Sequence, residues 1–325
     1  MDPALAQLGW TEDQWNRICT TVTEEAQKAR VAAQALPTVG TDDPYALAVS
    51  NYTLTTPALV PPRNPQVTAR LSVDSDPQLY LTRIGVNVEL RSHEAADPSL
   101  NAALVKFRRA ANVIARVEDG LVFYGRKNTA LGPPPVSTLN TTLAGVPAIF
   151  DHTNDTHNVP GIYPWGMGPA FVNEGPPIRR GALVPYTVPV AFASAALTAG
   201  GAPGDGVVNA IIAAINSIER LGYYGPFACF LGDRLFAAIC TPAPTLVLPR
   251  DRILPFLQGP LLRSSVIRQT EGVVISLAGS AVELVVASGI KVRFTQQTVE
   301  GRLAFRVTER VAVRIKDTNA IQWIR

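Results

Sequence analysis

Charge is scarce in this chain. Asp, Glu, Lys and Arg make up 17% of its 325 residues, against about a quarter in an ordinary soluble domain. Either part of the surface is buried against other subunits, or long neutral segments dilute the charge. Lysine occurs only at positions 28, 106, 127, 291 and 316, and the remaining basic residues are scattered arginines. With a net charge of +3 and no basic run interleaved with aromatics, no specific nucleic-acid partner is expected. Only three cysteines are present, Cys19, Cys229 and Cys240, with no CxxC spacing. That excludes a disulfide framework and points to free thiols in a reducing, cytoplasmic setting. Each reads as a small buried hydrophobe. The chain does not open on a basic segment followed by an apolar one. No apolar run reaches the roughly 18 residues of a membrane span, so no membrane partner is expected.

Recognisable catalytic motifs are equally missing. There is no GxxxxGK[ST], HExxH or GxSxG segment. The nearest approach to a metal site is Asp151-His152-Thr153-Asn154-Asp155-Thr156-His157, two histidines and two acids within one short stretch. The same residues favour polar turns, and nothing nearby completes a four-ligand set. A metal-dependent hydrolase using His152 and His157 is therefore the enzyme alternative. His93-Glu94 has the chemistry for acid–base work but no nucleophile or second base beside it. Glu118 and Asp119 are adjacent, so their side chains diverge, and Asp119-Gly120 reads as a turn that ends a helix. No catalytic residue, metal or cofactor is expected.

What is present is enough apolar residue, 47% of the chain with a mean hydropathy of +0.14, to bury a sizeable core in one large or two ordinary domains. Thr11 and Gln14 form a capping-box signature. Trp15, Ile18, Val22, Ala26 and Ala29 then recur at helical spacing, predicting a helix of roughly 20 residues that ends before Pro37. Residues 45–66 hold Pro57, Pro61, Pro62 and Pro65 and exclude a central strand. Two β-like runs, 67–73 and 79–90, flank the turn signal Asp74-Ser75-Asp76-Pro77 and predict a long hairpin. Leu100, Leu104, Phe107, Ala111, Ile114 and Val117 form the stripe of a second helix that starts at Asp97-Pro98-Ser99. Residues 128–205 are rich in Pro, Gly, Thr and Asn and long for a connection, which suggests an insertion. A third helix is expected at 206–221, apolar around most of its circumference and capped by Gly222. A strand at 225–231, a short helix to Cys240 and strands at 272–277, 281–287, 289–295 and 302–315 follow. The fold class is α+β.

Three segments resemble the encapsulins. Val117–Gly125 (VEDGLVFYG) is similar to the family's segment at the end of the spine helix. Gly222–Leu235 (GYYGPFACFLGDRL) is similar to its signature after the third helix. Leu303–Ile321 (LAFRVTERVAVRIKDTNAI) is similar to its final strand and ending. The resemblance implies the capsid fold of the tailed phage Hong Kong ninety-seven, with a peripheral domain, an axial domain and an extended loop. It implies an N-terminal helix and arm at 1–40 and an extended-loop hairpin at 41–90. The peripheral domain with its spine helix would comprise 91–127 and 296–325, the insertion 128–205 and the axial domain 206–295. It further implies a structural shell protein, assembled with itself into an icosahedral nanocompartment. A cargo protein would be taken in through a terminal targeting peptide. By position, Trp15, Ile18, Val22, Ile321 and Trp323 would line the cargo groove. By order, Arg263, Arg268, Gln269, Thr270 and Glu271 would belong to the pore loop. A phage or prophage major capsid protein is the structural alternative. No lysine lies between Lys28 and Lys106, so no lysine cross-link from the extended loop is expected. An isolated two-stranded arm is marginal alone, which suits one that lies on a neighbouring subunit.

Overall fold

The computed structural model describes residues 9–55, 72–74, 78–125, 148–151, 162, 203–242 and 247–324. Helix α1 (Glu12–Ala29) begins where the capping box places it. The Gln14 N–H donates to Thr11 Oγ1 at 3.2 Å, and the Thr11 N–H donates back to Gln14 Oε1 at 2.9 Å. Its buried residues, Ile18, Val22 and Ala26, form the stripe laid against the spine helix α3 (Asn101–Tyr124). With 24 residues at about 1.5 Å each, α3 is the longest helix among the described residues. It runs six residues beyond the expected end at 118, and Asp119-Gly120 is a turn of helix rather than a stop. The helix tolerates the two acids because both have partners inside the fold, described below.

A five-stranded sheet lies under α1 and α3. Its strands are β1 (Thr38–Gly40), β6 (Thr82–Leu90), β7 (Ala148–Asp151), β11 (Val282–Gln297) and β12 (Leu303–Ile315), in the order β1-β11-β12-β6-β7. β1 runs parallel to β11, and every other pair is antiparallel. Val86, Val88 and Leu90 are buried and alternate with the exposed Asn87 and Glu89, as a strand with one covered face requires. The core under the helices is an aromatic cluster. Phe305 stacks on Trp10 at 5.3 Å and meets the edges of Phe107 and Phe294 at 5.4 Å each.

The second sheet has four strands in the order β13-β10-β8-β9: β8 (Phe227–Leu231), β9 (Leu261–Arg263), β10 (Gly272–Ser276) and β13 (Ile321–Ile324). β8 and β10 are buried along their whole length. One face packs on α4 (Pro203–Arg220), α5 (Asp233–Cys240) and α6 (Pro249–Leu257). Ala228, Phe230, Val273 and Ile275 belong instead to the core under the spine helix, where Phe123 meets Phe230 edge-on at 5.1 Å. The last turn of the spine thus joins the two halves.

Several expectations change. The hairpin is not 67–73 against 79–90. β2 (Ala48–Ser50) pairs with β5 (Gln78–Tyr80), and β3 (Thr53–Thr55) pairs with β4 (Ser72–Asp74). The strands on either side of the Asp74–Pro77 signal, β4 and β5, thus pair with β3 and β2 rather than with each other. Turn chemistry marks a break in pairing but not which strand comes next. The runs 281–287 and 289–295 are one strand, β11, with register shifts around Ser288. The expected domain boundary at 295 falls inside it, and β13, expected in the peripheral part, joins the four-stranded sheet. Alternation of apolar residues marks a strand but not its sheet. The proline-rich stretch before 260 holds α6, with Pro249 at its first turn, a position where proline costs nothing. Of the 128–205 insertion, β7, Ile162 and the first residues of α4, 203–205, are described. β7 edges the large sheet, and the Ile162 N–H donates to the Val122 carbonyl at 2.9 Å.

Candidate cargo-facing and pore-loop sites

The five residues expected in a cargo groove separate into two groups. Trp15, Ile18 and Val22 lie on α1, while Ile321 and Trp323 lie on β13. Ile18, Val22, Ile321 and Trp323 are all buried. Trp323 packs its ring 6.1 Å from Tyr124 and donates its indole N–H to the Ile162 carbonyl at 2.9 Å. Those four are core residues of the single chain and offer no open face. Trp15 alone is partly accessible, with its ring 6.2 Å from Trp10 and 6.5 Å from Phe305.

A buried ionic cluster holds the end of α1. Arg30 caps the helix and places Nε 2.6 Å from Glu118 Oε2 on the spine, while its Nη2 pairs with Glu309 on β12. Both glutamate side chains are fully buried and that of Arg30 is 16% exposed. Next to Glu118, Asp119 accepts from the backbone N–H groups of Val31 at 3.1 Å and Ala32 at 2.8 Å. It thereby caps the 3-10 turn Ala32–Gln34. One guanidinium cannot balance three carboxylates in an interior, where unpaired charge is costly. Burial, reinforced by Glu309, pushes the Glu118 carboxyl well above the usual range, against the pull of Arg30. Burial raises Glu309 as well, again opposed by Arg30. Burial also pushes Asp119 up to about 7, although the two backbone donors favour its charged form. The charge on Glu309 acts directly on Glu118, so the two carboxyls titrate as a pair. Sequence reasoning singled out Glu118-Asp119 but read Asp119-Gly120 as a turn that ends the helix. The signal to the contrary was an acidic pair set inside the apolar helical run from Ile114 to Phe123.

The expected pore-loop residues do come together. Arg263 ends β9, and the loop runs to β10. Arg263, Arg268, Gln269 and Thr270 are exposed, while Glu271 is buried and pairs with Arg268 at 3.3 Å. Two N–H groups at the start of α5, those of Arg234 and Leu235, converge on the Gln269 carbonyl at 3.1 and 3.2 Å. The Gly232 N–H donates to the Glu271 carbonyl at 2.9 Å, and the Arg268 N–H donates to Tyr124 Oη at 2.9 Å. The loop is therefore moored to both α5 and the end of the spine. Gly232 permits this closeness, since a Cβ there would lie 2.0 Å from the Arg268 carbonyl oxygen. Gly232→Ala is expected to displace the loop at a cost of roughly 1–3 kcal/mol. Faster hydrogen exchange at residues 264–271 and a lower unfolding midpoint would show it, and unchanged exchange would contradict it.

The remaining candidates are structural. Glu94, in the short helix α2 (Ser92–Ala96), accepts from the Arg91 N–H at 2.8 Å and pairs with Lys106 at 2.5 Å, which holds its carboxyl below the usual range. Cys229 is fully buried, and that burial pushes its thiol far up; Cys19 is half-buried and raised for the same reason. Cys240 is exposed, a departure from the expectation for all three. His152, Asp155 and His157 lie outside the described residues. Among the described residues no group of three or more His, Cys, Asp or Glu could hold a metal, and no helix is long and apolar enough to cross a membrane.

Two sheets bridged by one long helix, with a paired arm ahead of β6, are matched among solved structures. A virus-like particle from Pyrococcus furiosus aligns over 97% of this chain and 100% of its own, with a TM-score of 0.62 and 11% identity. The capsid of Myoviridae phage XM1 aligns over 90% of each chain, with a TM-score of 0.55 and 12% identity. Mycobacterium phage Ogopogo gives 0.52 over 91% of each chain, with 16% identity. The fold is that of the tailed-phage capsid proteins. By sequence, residues 191–312 match the family model described as encapsulating protein for peroxidase. The encapsulin resemblance thus holds over that segment, which contains Gly222–Leu235 and most of the final long strand. The Val117–Gly125 segment lies outside it. No curated protein matches the chain by sequence.

Proposed function

We propose that this chain is a structural shell protein of the encapsulin type, which assembles with itself into a closed icosahedral compartment in the cytoplasm and encloses a cargo protein. The observation that carries this reading is the encapsulating-protein match over 191–312 on a chain whose fold aligns end to end with a virus-like particle subunit. The arm supports it physically. Its root packs on its own sheet through Leu79, Leu81, Val285, Ala287 and Ala312. Tyr45, Leu47, Tyr52 and Val73 are instead 44–65% exposed, apolar surface of the kind that a neighbouring subunit covers. No catalytic role is assigned to any residue. The cargo surface is narrowed to the neighbourhood of Trp15, the one predicted groove residue with open area. A phage or prophage capsid protein is the second reading, favoured by the likeness to the capsid of phage XM1.

The test is expression of the chain alone, followed by size-exclusion chromatography and negative-stain microscopy. Closed, uniform, hollow particles free of DNA are the expected result. DNA-filled particles would favour the phage reading, and a well-folded monomer or dimer would overturn both. With a cargo peptide in hand, Trp15→Ala is expected to lower loading at least several-fold while particles still form. Unchanged loading would remove Trp15 from the cargo surface.

A further inference from the structure

The spine helix keeps one face out of the core. Val105, Arg109, Asn112 and Arg116 follow one another at steps of four, three and four residues, with Arg108 beside them. That spacing sets them along one side of α3. Val105 is 64% exposed, Arg108 and Arg109 are exposed, and Asn112 and Arg116 are half-buried. Lys106, on the flank of the same helix, is held by Glu94. Among the described residues, no ion pair, hydrogen bond or ring contact engages the side chain of Arg108, Arg109 or Arg116. The spine's own acids are already committed, Glu118 to Arg30 and Asp119 to the backbone N–H groups of Val31 and Ala32. Glu24 and Glu25, on the helix α1 packed alongside, form no ion pair with the three arginines. Arg116 has its Nε shut away from solvent without an acceptor. A guanidinium partly withdrawn from water without a counter-charge is costly, and an anionic partner from outside the chain would offset that cost.

We infer that this face of the spine binds an acidic peptide segment of the protein that the shell encloses, an inference that rests on the shell reading above. Guanidinium groups offer paired N–H donors that match a carboxylate. Arg109 and Arg116 are separated by about 10 Å along the helix axis. That is the span of roughly three residues of an extended chain, so acids three apart in a strand-like segment meet both. Val105, on the same stripe, offers an apolar contact for an aliphatic side chain, which a phosphodiester backbone lacks. No aromatic residue stands on the stripe to stack a base. An acidic peptide with an aliphatic residue therefore fits the face better than a polynucleotide. The spine also packs beside α1, which carries the partly accessible Trp15, so the stripe and Trp15 belong to one helical layer.

Co-expression of the affinity-tagged chain with a fluorescent protein tests the face. The fluorescent protein ends in a tail of two leucines and about eight glutamates, and its counterpart carries serines in place of the glutamates. Fluorescence retained per chain after purification is expected to be at least about fivefold higher for the glutamate tail. Arg109→Gln alone is expected to lower it about threefold, and Arg109→Gln with Arg116→Gln to bring it down to the serine level. Neither side chain has a partner within the chain, so the variants are expected to fold, which an unchanged unfolding midpoint checks. Arg250→Gln, at an exposed arginine on α6, is the control and is expected to capture as the parent does. Equal capture of the two tails, or capture unaffected by the double replacement, would overturn the inference. Nucleic acid that copurifies with the parent and is lost from the double variant would overturn it in favour of a polynucleotide. Particles lost from the double variant at an unchanged midpoint would assign the face to contact between subunits instead. Capture is read per chain and particles are scored separately by microscopy, so failure here is distinct from failure of the shell reading.

Discussion

Replacing Arg30 with methionine is expected to destabilise the protein by about 3–5 kcal/mol, the usual cost of removing one partner from a buried ion pair. The Glu118 and Glu309 carboxyls then lose the guanidinium that pairs with both at the junction of α1, the spine and β12. The effect is expected to depend on pH. In acid the two carboxyls can protonate, which substitutes for the guanidinium, so the loss is smallest near pH 5 and largest near pH 8. Urea unfolding at both values checks this, and equal losses would show that the cluster does not titrate. Limited proteolysis is expected to cut first near Arg30, because α1 is fastened there.

The intact protein should respond to pH in the same direction. Glu118, Glu309 and Asp119 all have raised carboxyls in the folded state, through burial first. The folded form therefore holds more protons than the unfolded one across the window between ordinary carboxylate values and about 7, the value of Asp119. Stability contributed by these groups is fully present below that window, falls as pH rises through it and levels off above it. Glu118→Gln is expected to flatten this slope, since the amide keeps the shape of the side chain without its titration. A slope unchanged in Glu118→Gln would place the responsible protons elsewhere.

The second large effect is expected at Phe305. Truncation to alanine should cost about 3–5 kcal/mol, because the ring is buried and touches Trp10, Trp15, Phe107 and Phe294 from three different directions in the chain. The cavity would open where α1, the spine and the β11–β12 pair meet. Val299→Ala, at a fully exposed position in the turn between those strands, is expected to stay within about 0.5 kcal/mol. A Phe305→Ala loss no larger than that of Val299→Ala would mean that the aromatic cluster collapses without cost.

Both predictions centre on contacts that no local pattern announces. Glu118 and Glu309 are far apart in sequence, and each alone reads as a surface acid. Only the docking of α1 across the spine turns them into a shared buried pair with Arg30. The same holds for the loop 264–271, whose mooring to Tyr124 and α5 became visible only in three dimensions. The five groove candidates failed in the opposite sense. Their apolar character was read correctly, but burial within the subunit takes four of them out of reach of any partner.

What the amino-acid sequence determined by itself was local. The Thr11–Gln14 cap, the stripes of α1 and the spine, the buried α4 with Gly222 behind it and the alternation of the late strands were all legible. Each rests on interactions between residues a few positions apart. A capsid-like fold was indicated by the resemblance of three segments, 117–125, 222–235 and 303–321, to the encapsulins. The tertiary structure decided which strands share a sheet and how the arm pairs with itself. It also decided which acids are buried. Those outcomes depend on packing between distant segments, and a strand's periodicity or an acid's neighbours are the same whichever partner it eventually meets.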